Sequence, residues 1–439
     1  MTDPPSAERP LAQPAEGVPA GFAGRSEYLW DVLAALWPPP ARIAACGPTV
    51  RRTGGTTEFL VLPSERRATL LIPRRPLPAA AGALRNYKAS ATARDRLQFR
   101  AMALAARAGL GELLPHRIRI EPGQRAGEAQ RPGEAQRTGA ADIVGYLRAA
   151  LGRDIVVSLH IGPARANRKP VLQALTPAGE TAGFVKIGLN ALTGELVCAE
   201  ATSLAFLASA RLAHVQPPRL LHHGTWGGHQ VLVQQGFRAS GYATDRAELS
   251  RAMAELAAVR GLDSLLVTES PYWHSLRARL RSLRQGSLAG PLLQVLNQLE
   301  PLASGTRLAF GCWHGDWTPW NMTMSDGCAL VWDWERFGAG VPVGYDAAHY
   351  QLQGAVVRDS VAADVAAETA ITRAAGILAP LRVEPAAATL VAMLYLVEIA
   401  ARYLHDGQAE AGARLGRIDT WLLPVLSRHA LRLSGSPGG

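Results

Sequence analysis

The chain has 439 residues, 48% of them hydrophobic and 19% charged, a balance that excludes a disordered or fibrous protein and allows two or three folding units. Its formal charge is +10, yet only three of its 46 basic residues are lysines (Lys88, Lys169, Lys186) and the arginines are dispersed. Dispersal argues against nucleic acid as a partner, because phosphate-backbone binding needs a contiguous basic face.

Four cysteines (Cys46, Cys198, Cys312, Cys328) without C-x-x-C spacing argue against a zinc or disulfide framework. The longest apolar run, 386–397, falls short of the ~20 residues of a spanning helix. The opening MTDPPSAERP has neither a basic n-region nor an apolar h-region. The expectation is therefore a cytoplasmic protein without a membrane span. Oligomeric state is left open.

In chain order, residues 1–24 are rich in Pro, Ala and Gly and read as a disordered tail. Residues 25–121 form an N-terminal module of unassigned role, with strands at 58–62 and 68–72 around the turn Pro-Ser-Glu-Arg-Arg. A helix at 96–108 follows, its apolar residues being Leu97, Met102, Leu104, Ala105 and Ala108, and then a strand at 116–120. Residues 122–140 contain GEAQR twice and read as a flexible linker.

After the linker, 154–161, 170–175 and 182–187 read as strands, 193–209 as a helix with Thr193 as N-cap, and 219–223 and 230–234 as two more strands. This is a small five-stranded antiparallel lobe over 141–237 carrying one main helix. A larger, mostly helical lobe spans 238–432, with a loop-rich segment at 311–344, and a disordered tail covers 433–439. The predicted class is α+β with two lobes.

The helical lobe contains His314-Gly315-Asp316-Trp317-Thr318-Pro319-Trp320-Asn321, and after an apolar run Asp333. Phosphoryl transfer supplies a reason for this pattern: an Asp orients the attacking hydroxyl and accepts its proton, while an Asn and a second Asp hold magnesium. Trp313, Trp317, Trp320, Trp332 and Trp334 are five of the ten tryptophans in the chain. Trp332 is expected in the core, and Trp317 and Trp334 are candidates for an acceptor-facing wall.

The loop resembles the H-G-D-x-x-x-x-N segment of the aminoglycoside phosphotransferase and choline kinase family, relatives of the protein kinases. The resemblance is specific over 311–350 and extends over about 150–430. It implies a protein-kinase-like two-lobe fold and an ATP- and Mg2+-dependent kinase for a small-molecule hydroxyl acceptor such as a sugar, aminoglycoside or amino alcohol. On it, Asp316 is the catalytic base, Asn321 and Asp333 hold magnesium, and His314 and Asp346 order the loop. Lys186 meets the phosphates with Glu200 as its ion-pair partner, and Gln235 lies at the hinge beside the adenine. The loop 162–169 stands where the family covers the phosphates, but has one glycine and Arg165, Arg168 and Lys169 in place of a glycine-rich pattern. That departure keeps a second reading, a pseudokinase-like binding protein, beside the enzyme.

Overall fold

The computed structural model describes residues 25–47, 56–85, 93–122, 141–237, 245–283 and 288–434. The two predicted tails and the GEAQR segment lie outside the described residues, save the linker's first residue and Leu433 and Ser434, which are helical where a disordered tail is expected.

The first part of the chain runs α1 (Arg25–Leu36), β1 (Arg42–Cys46), β2 (Thr57–Leu62), β3 (Leu70–Pro73), α2 (Leu77–Arg85), α3 (Ala93–Arg107) and β4 (Arg117–Glu121). Then follow α4 (Ile143–Leu151), β5 (Val156–His160), β6 (Val171–Leu175), β7 (Thr181–Gly188), α5 (Ala191–Ser209), β8 (Val215–Gln216), β9 (Leu220–Trp226) and β10 (His229–Gln234).

The five expected strands belong to a nine-stranded sheet in the order β1-β4-β2-β3-β5-β6-β7-β10-β9. The seam between N-terminal module and small lobe is the antiparallel pair β3–β5, with Leu70 opposite His160 and Leu71 opposite Leu159. One apolar core crosses that seam, joining Leu29, Leu33, Phe59 and Ile118 to Val157, Leu172, Val185 and Val231. The described strands of 25–121 are thus built into the small lobe's sheet.

The apolar face expected on the helix at 96–108 is buried only in part, Met102 alone of its large residues packing against the core. Leu97 and Leu104 are exposed, while Ala103 and Ala106 are buried beside the alanines of α2, because small residues let two helices approach closely. On the neighbouring sheet, the buried Glu58 is paired with Arg119 at 2.7 Å and with Arg74. A carboxylate in that position needs such partners.

The second lobe contains α6 (Arg246–Ala257), β11 (Asp263–Leu266), α7 (Pro271–Ser282), α8 (Ala289–Ser304), β12 (Arg307–Trp313), β13 (Met322–Ser325), β14 (Cys328–Val331) and β15 (Gly338–Pro342). After these come α9 (Tyr345–Gln353), α10 (Ala363–Thr372), α11 (Ala374–Leu378), α12 (Pro385–Asp406) and α13 (Leu422–Ser434). The segment expected to be loop-rich contains β13, β14, β15 and the end of β12, which belong to two short sheets, β11-β12-β15 and β13-β14-β8. Helices α5 and α12 are long and apolar enough to cross a membrane by length and composition. The run Leu390–Ala400 of α12 is buried throughout in the helical core, which makes α12 the lobe's central helix.

Candidate active site

Between the lobes, β7 and α5 position the first two groups. Helix α5 begins at Asn190, not at the expected Thr193: Asn190 Oδ1 accepts from Thr193 N–H at 2.9 Å, and Thr193 returns a bond to the Asn190 N–H. Thr193 is the third helical residue of a reciprocal capping box. The helix lies so close to β7 that a Cβ on Gly188 would stand 2.4 Å from the Gly194 Cα. This approach brings Glu200, on the third turn of α5, to Lys186 near the end of β7. Lys186 Nζ donates to both Glu200 oxygens at 2.6 Å and to Asp333 Oδ1 at 2.6 Å.

One ammonium between two carboxylates has clear electrostatic consequences. Burial alone would discharge Lys186, but the charges of Asp333 and Glu200 outweigh it and hold the ammonium protonated above its usual range. Burial likewise opposes ionisation of Asp333, and Lys186 and Lys169 overcome it, holding that carboxyl well below the usual range. Glu200 is the group that yields, pushed up by burial to about 7 despite Lys186. Asp333 sits just after β14 with φ +74°, a left-handed conformation uncommon outside glycine, which marks backbone strain at this point.

The predicted loop follows β12. His314 is fully buried; its Nδ1 accepts from the Asp316 N–H at 3.1 Å and its Nε2 donates to the Trp332 carbonyl at 3.2 Å. Burial lowers its pKa to about 4, which suits a neutral ring with one donor and one acceptor. The backbone N–H groups of His314 and Gly315 donate to the two carboxyl oxygens of Asp346, at 2.7 and 3.1 Å. Gly315 has φ +83°, and a Cβ there would stand 2.3 Å from the Arg336 carbonyl, so glycine alone fits.

Asn321 donates from Nδ2 to Asp316 Oδ2 at 2.9 Å and to the Asp316 carbonyl at 3.0 Å. Its amide nitrogen is thereby committed, and its oxygen is the atom left to ligate a cation. The carboxylates of Glu200, Asp333 and Glu335 have oxygens within 4.8 Å of one another, an all-oxygen set of the kind magnesium prefers.

A cavity of about 400 Å3 opens between the loop 162–169, Lys186, Asp333 and the hinge residues Gln234–Phe237. Arg165, Arg168 and Lys169 all line it. Two of them are engaged elsewhere: the Arg168 guanidinium lies 3.3 Å from the ring centre of Tyr28 on α1, and Lys169 is paired with Glu335. Gln235 also lines the cavity, but its N–H donates to the Arg219 carbonyl at 2.9 Å and is not available to a base. Beside it, the buried Oε1 of Gln234 has no hydrogen-bond partner among the described residues.

The tryptophans are placed the other way round from the expectation. Trp317 and Trp334 are fully buried, Trp317 Nε1 donating to Met322 Sδ and Trp334 Nε1 to the Val331 carbonyl. Trp332 lies beyond the end of β14, where strand alternation no longer turns it inward, and lines the cavity with Trp320.

Sequence reasoning did not single out His349, Glu335 or Arg402. His349 Nε2 is 2.9 Å from Asp316 Oδ1, and Arg402 Nη1 donates to the Gly315 carbonyl at 2.6 Å while its guanidinium lies 4.8 Å from the Trp313 ring centre. His349 lies one helical turn after Asp346, so the helical spacing could have placed it on the same face of α9. Nothing in the sequence pointed to Arg402, 87 residues from its partner.

The chain folds as an α+β protein, a sheet lobe and a helical lobe meeting at the Lys186–Glu200–Asp333 cluster. No family model matches the sequence, and no curated protein matches it either. Among solved structures, it is similar to a thermostable mutant of aminoglycoside phosphotransferase APH(4)-Ia, at 14% identity and TM-score 0.43, covering 67% of this chain and 100% of that one. A putative fructosamine-3-kinase from Thermobifida fusca is similar at 17% identity and TM-score 0.42, covering 67% and 100%. The amicoumacin kinase hAmiN, solved with AMP-PNP, Ca2+ and Ami, is similar at 12% identity and TM-score 0.36, covering 61% and 85%.

Proposed function

We propose that the protein is an ATP-dependent phosphotransferase that moves the γ-phosphoryl group to a hydroxyl of a small molecule. The observation that carries this reading is Lys186, bonded at once to Glu200 and Asp333 on the cleft that also holds the Asp316–Asn321 pair. A lysine fixed by a helix glutamate and facing a carboxylate is the arrangement phosphoryl transfer uses to set the phosphates.

Asp333 and Asn321 would hold Mg2+, with Glu335 and Glu200 close behind, and Lys186 would contact the α- and β-phosphates. The cation would neutralise charge on the β- and γ-phosphate oxygens. In the transfer, the acceptor hydroxyl oxygen bonds to the γ-phosphorus as the bridging bond to ADP breaks, and the hydroxyl proton passes to Asp316. Asp316 is suited to this as a carboxylate: burial pushes its pKa up, but the hydrogen bond from His349 more than offsets burial and keeps the group below its usual value. Catalysis is then mostly positioning and charge stabilisation.

Thermal unfolding with ATP and Mg2+ tests the reading on the wild type and on Asp333→Ala. At ~100 times the dissociation constant, binding adds ~2.7 kcal/mol to stability. A magnesium-dependent rise in the wild type that Asp333→Ala lacks is expected, and no rise at millimolar ATP would refute the nucleotide site.

A further inference from the structure

Asp316 does not line the nucleotide cavity. It lines a neighbouring one of about 310 Å3, bounded by Trp320, His349, Tyr403 and the segment 413–416. A molecule held there would present its hydroxyl to Asp316, so the chemistry of this cavity describes the acceptor.

Its charges do not balance. The guanidiniums of Arg165, Arg336, Arg402 and Arg414 line it, against the carboxylates of Asp316, Glu335 and Asp406. Two of those carboxylates are already neutralised within the protein: Asp406 is paired with Arg336, and Glu335 with Lys169. Asp316 is held by His349 and Asn321. Arg165, Arg402 and Arg414 have no carboxylate within ion-pair distance among the described residues.

Arg402 sits deepest, and burial together with the charge of Arg336 pulls its pKa below the ordinary arginine range. The charges of Glu398, Asp316 and Asp406 act against that shift and do not reverse it. Arg165 and Arg414 are exposed at the cavity edge. They are held near each other because Gln408, between α12 and Arg414, accepts from the Ala166 N–H at 3.3 Å and donates to Asn167 Oδ1 at 3.3 Å.

We infer that the acceptor carries an anionic group, a carboxylate or phosphate, on the same molecule as the hydroxyl that is phosphorylated, received by Arg165, Arg402 and Arg414. Planar guanidiniums suit such groups, since they give two parallel charge-assisted hydrogen bonds. A polycationic acceptor would meet three guanidiniums against the single carboxylate of Asp316, which selects against it. The inference rests on the phosphotransferase reading and narrows its acceptor.

The test is calorimetric titration of the ADP- and Mg2+-bound protein with glucose 6-phosphate, gluconate, glucose and the polyamine kanamycin. Glucose 6-phosphate or gluconate should bind at least about tenfold tighter than glucose, the scale of one charge-assisted hydrogen bond. Arg414→Gln should remove that preference. Preferred binding of kanamycin overturns the inference, as does equal binding of charged and neutral sugars, including none by any. An anion preference that survives in Arg414→Gln also overturns the assignment. Phosphate against carboxylate is decided by which of the two anionic probes binds. A failure of the parent reading shows separately, as loss of the magnesium-dependent ATP stabilisation in the same preparation.

Discussion

His349 Nε2 lies 2.9 Å from Asp316 Oδ1, and the other ring nitrogen of His349 lies 2.9 Å from the Tyr395 hydroxyl, so one buried imidazole ties the proposed base to the central helix of its lobe. Burial lowers the His349 pKa, against the pull of Asp316, which favours a neutral ring donating from Nε2 and accepting at Nδ1. The role is one of positioning. His349→Ala should lower kcat by about tenfold to a hundredfold, a range expected when a reacting group loses its fixed orientation. His349→Gln, which can keep a donor near the Nε2 position, should recover part of the loss with no change in the ATP KM.

The same contact fixes a pH dependence. A base works in its deprotonated form, and the Asp316 pKa is lowered, so the acid limb of the kcat profile should lie below the ordinary aspartate value. Removing His349 leaves burial as the dominant influence, and burial raises the pKa. The acid limb of His349→Ala should therefore move to higher pH. For stability the sign is the usual one for a depressed carboxylate: the contribution of Asp316 is present above its unfolded pKa and fades as pH falls through the folded one.

Lys186→Met should destabilise the fold as well as abolish turnover. It leaves Glu200, fully buried, and Asp333 without the ammonium that bonds to both, and breaking a buried pair in this way costs about 3–5 kcal/mol. Glu200 already stands near 7 with Lys186 present, and without it the carboxyl holds its proton more firmly still. Protonation relieves the repulsion. The deficit in Tm relative to wild type should therefore shrink between pH 8 and pH 6.

Asp346→Asn places an amide nitrogen against one of two backbone N–H donors, those of His314 and Gly315. One buried donor then lacks an acceptor, at a cost of about 1–3 kcal/mol. Denaturant unfolding measures the loss, and kcat should fall with it because Asp316 rides on the same loop. Gly315→Ala should act through the same segment and more severely, since its Cβ would collide with the Arg336 carbonyl.

Much of this candidate site was legible because the proposed chemistry calls for rare residue types at short spacing. The loop from His314 to Asn321 is local, and Lys186 stands out in a chain with so few lysines. Glu200 followed from a helix that begins just after β7. What stayed hidden depends on long-range packing. The β3–β5 pairing joins segments far apart in sequence and separated by the GEAQR stretch, so strand patterns alone gave two modules where one sheet forms. Arg168 was legible as a loop cation, but its partner Tyr28 lies 140 residues earlier. The tryptophans were misplaced because aromatic content announces burial energy without direction, and direction came from where β14 stops.

The most direct test of the central claim is ADP formation from ATP with and without Mg2+, by the wild type and by Asp316→Asn, in the presence of the acceptor that binds best. The expected result is magnesium-dependent turnover that falls by about 10²–10⁴-fold in the variant, the usual range for removing a general base, while the ATP-induced rise in Tm is retained. Equal turnover by both proteins would contradict the role of Asp316. ATP binding without turnover in the wild type would contradict the enzyme and favour a protein that keeps this fold for binding alone.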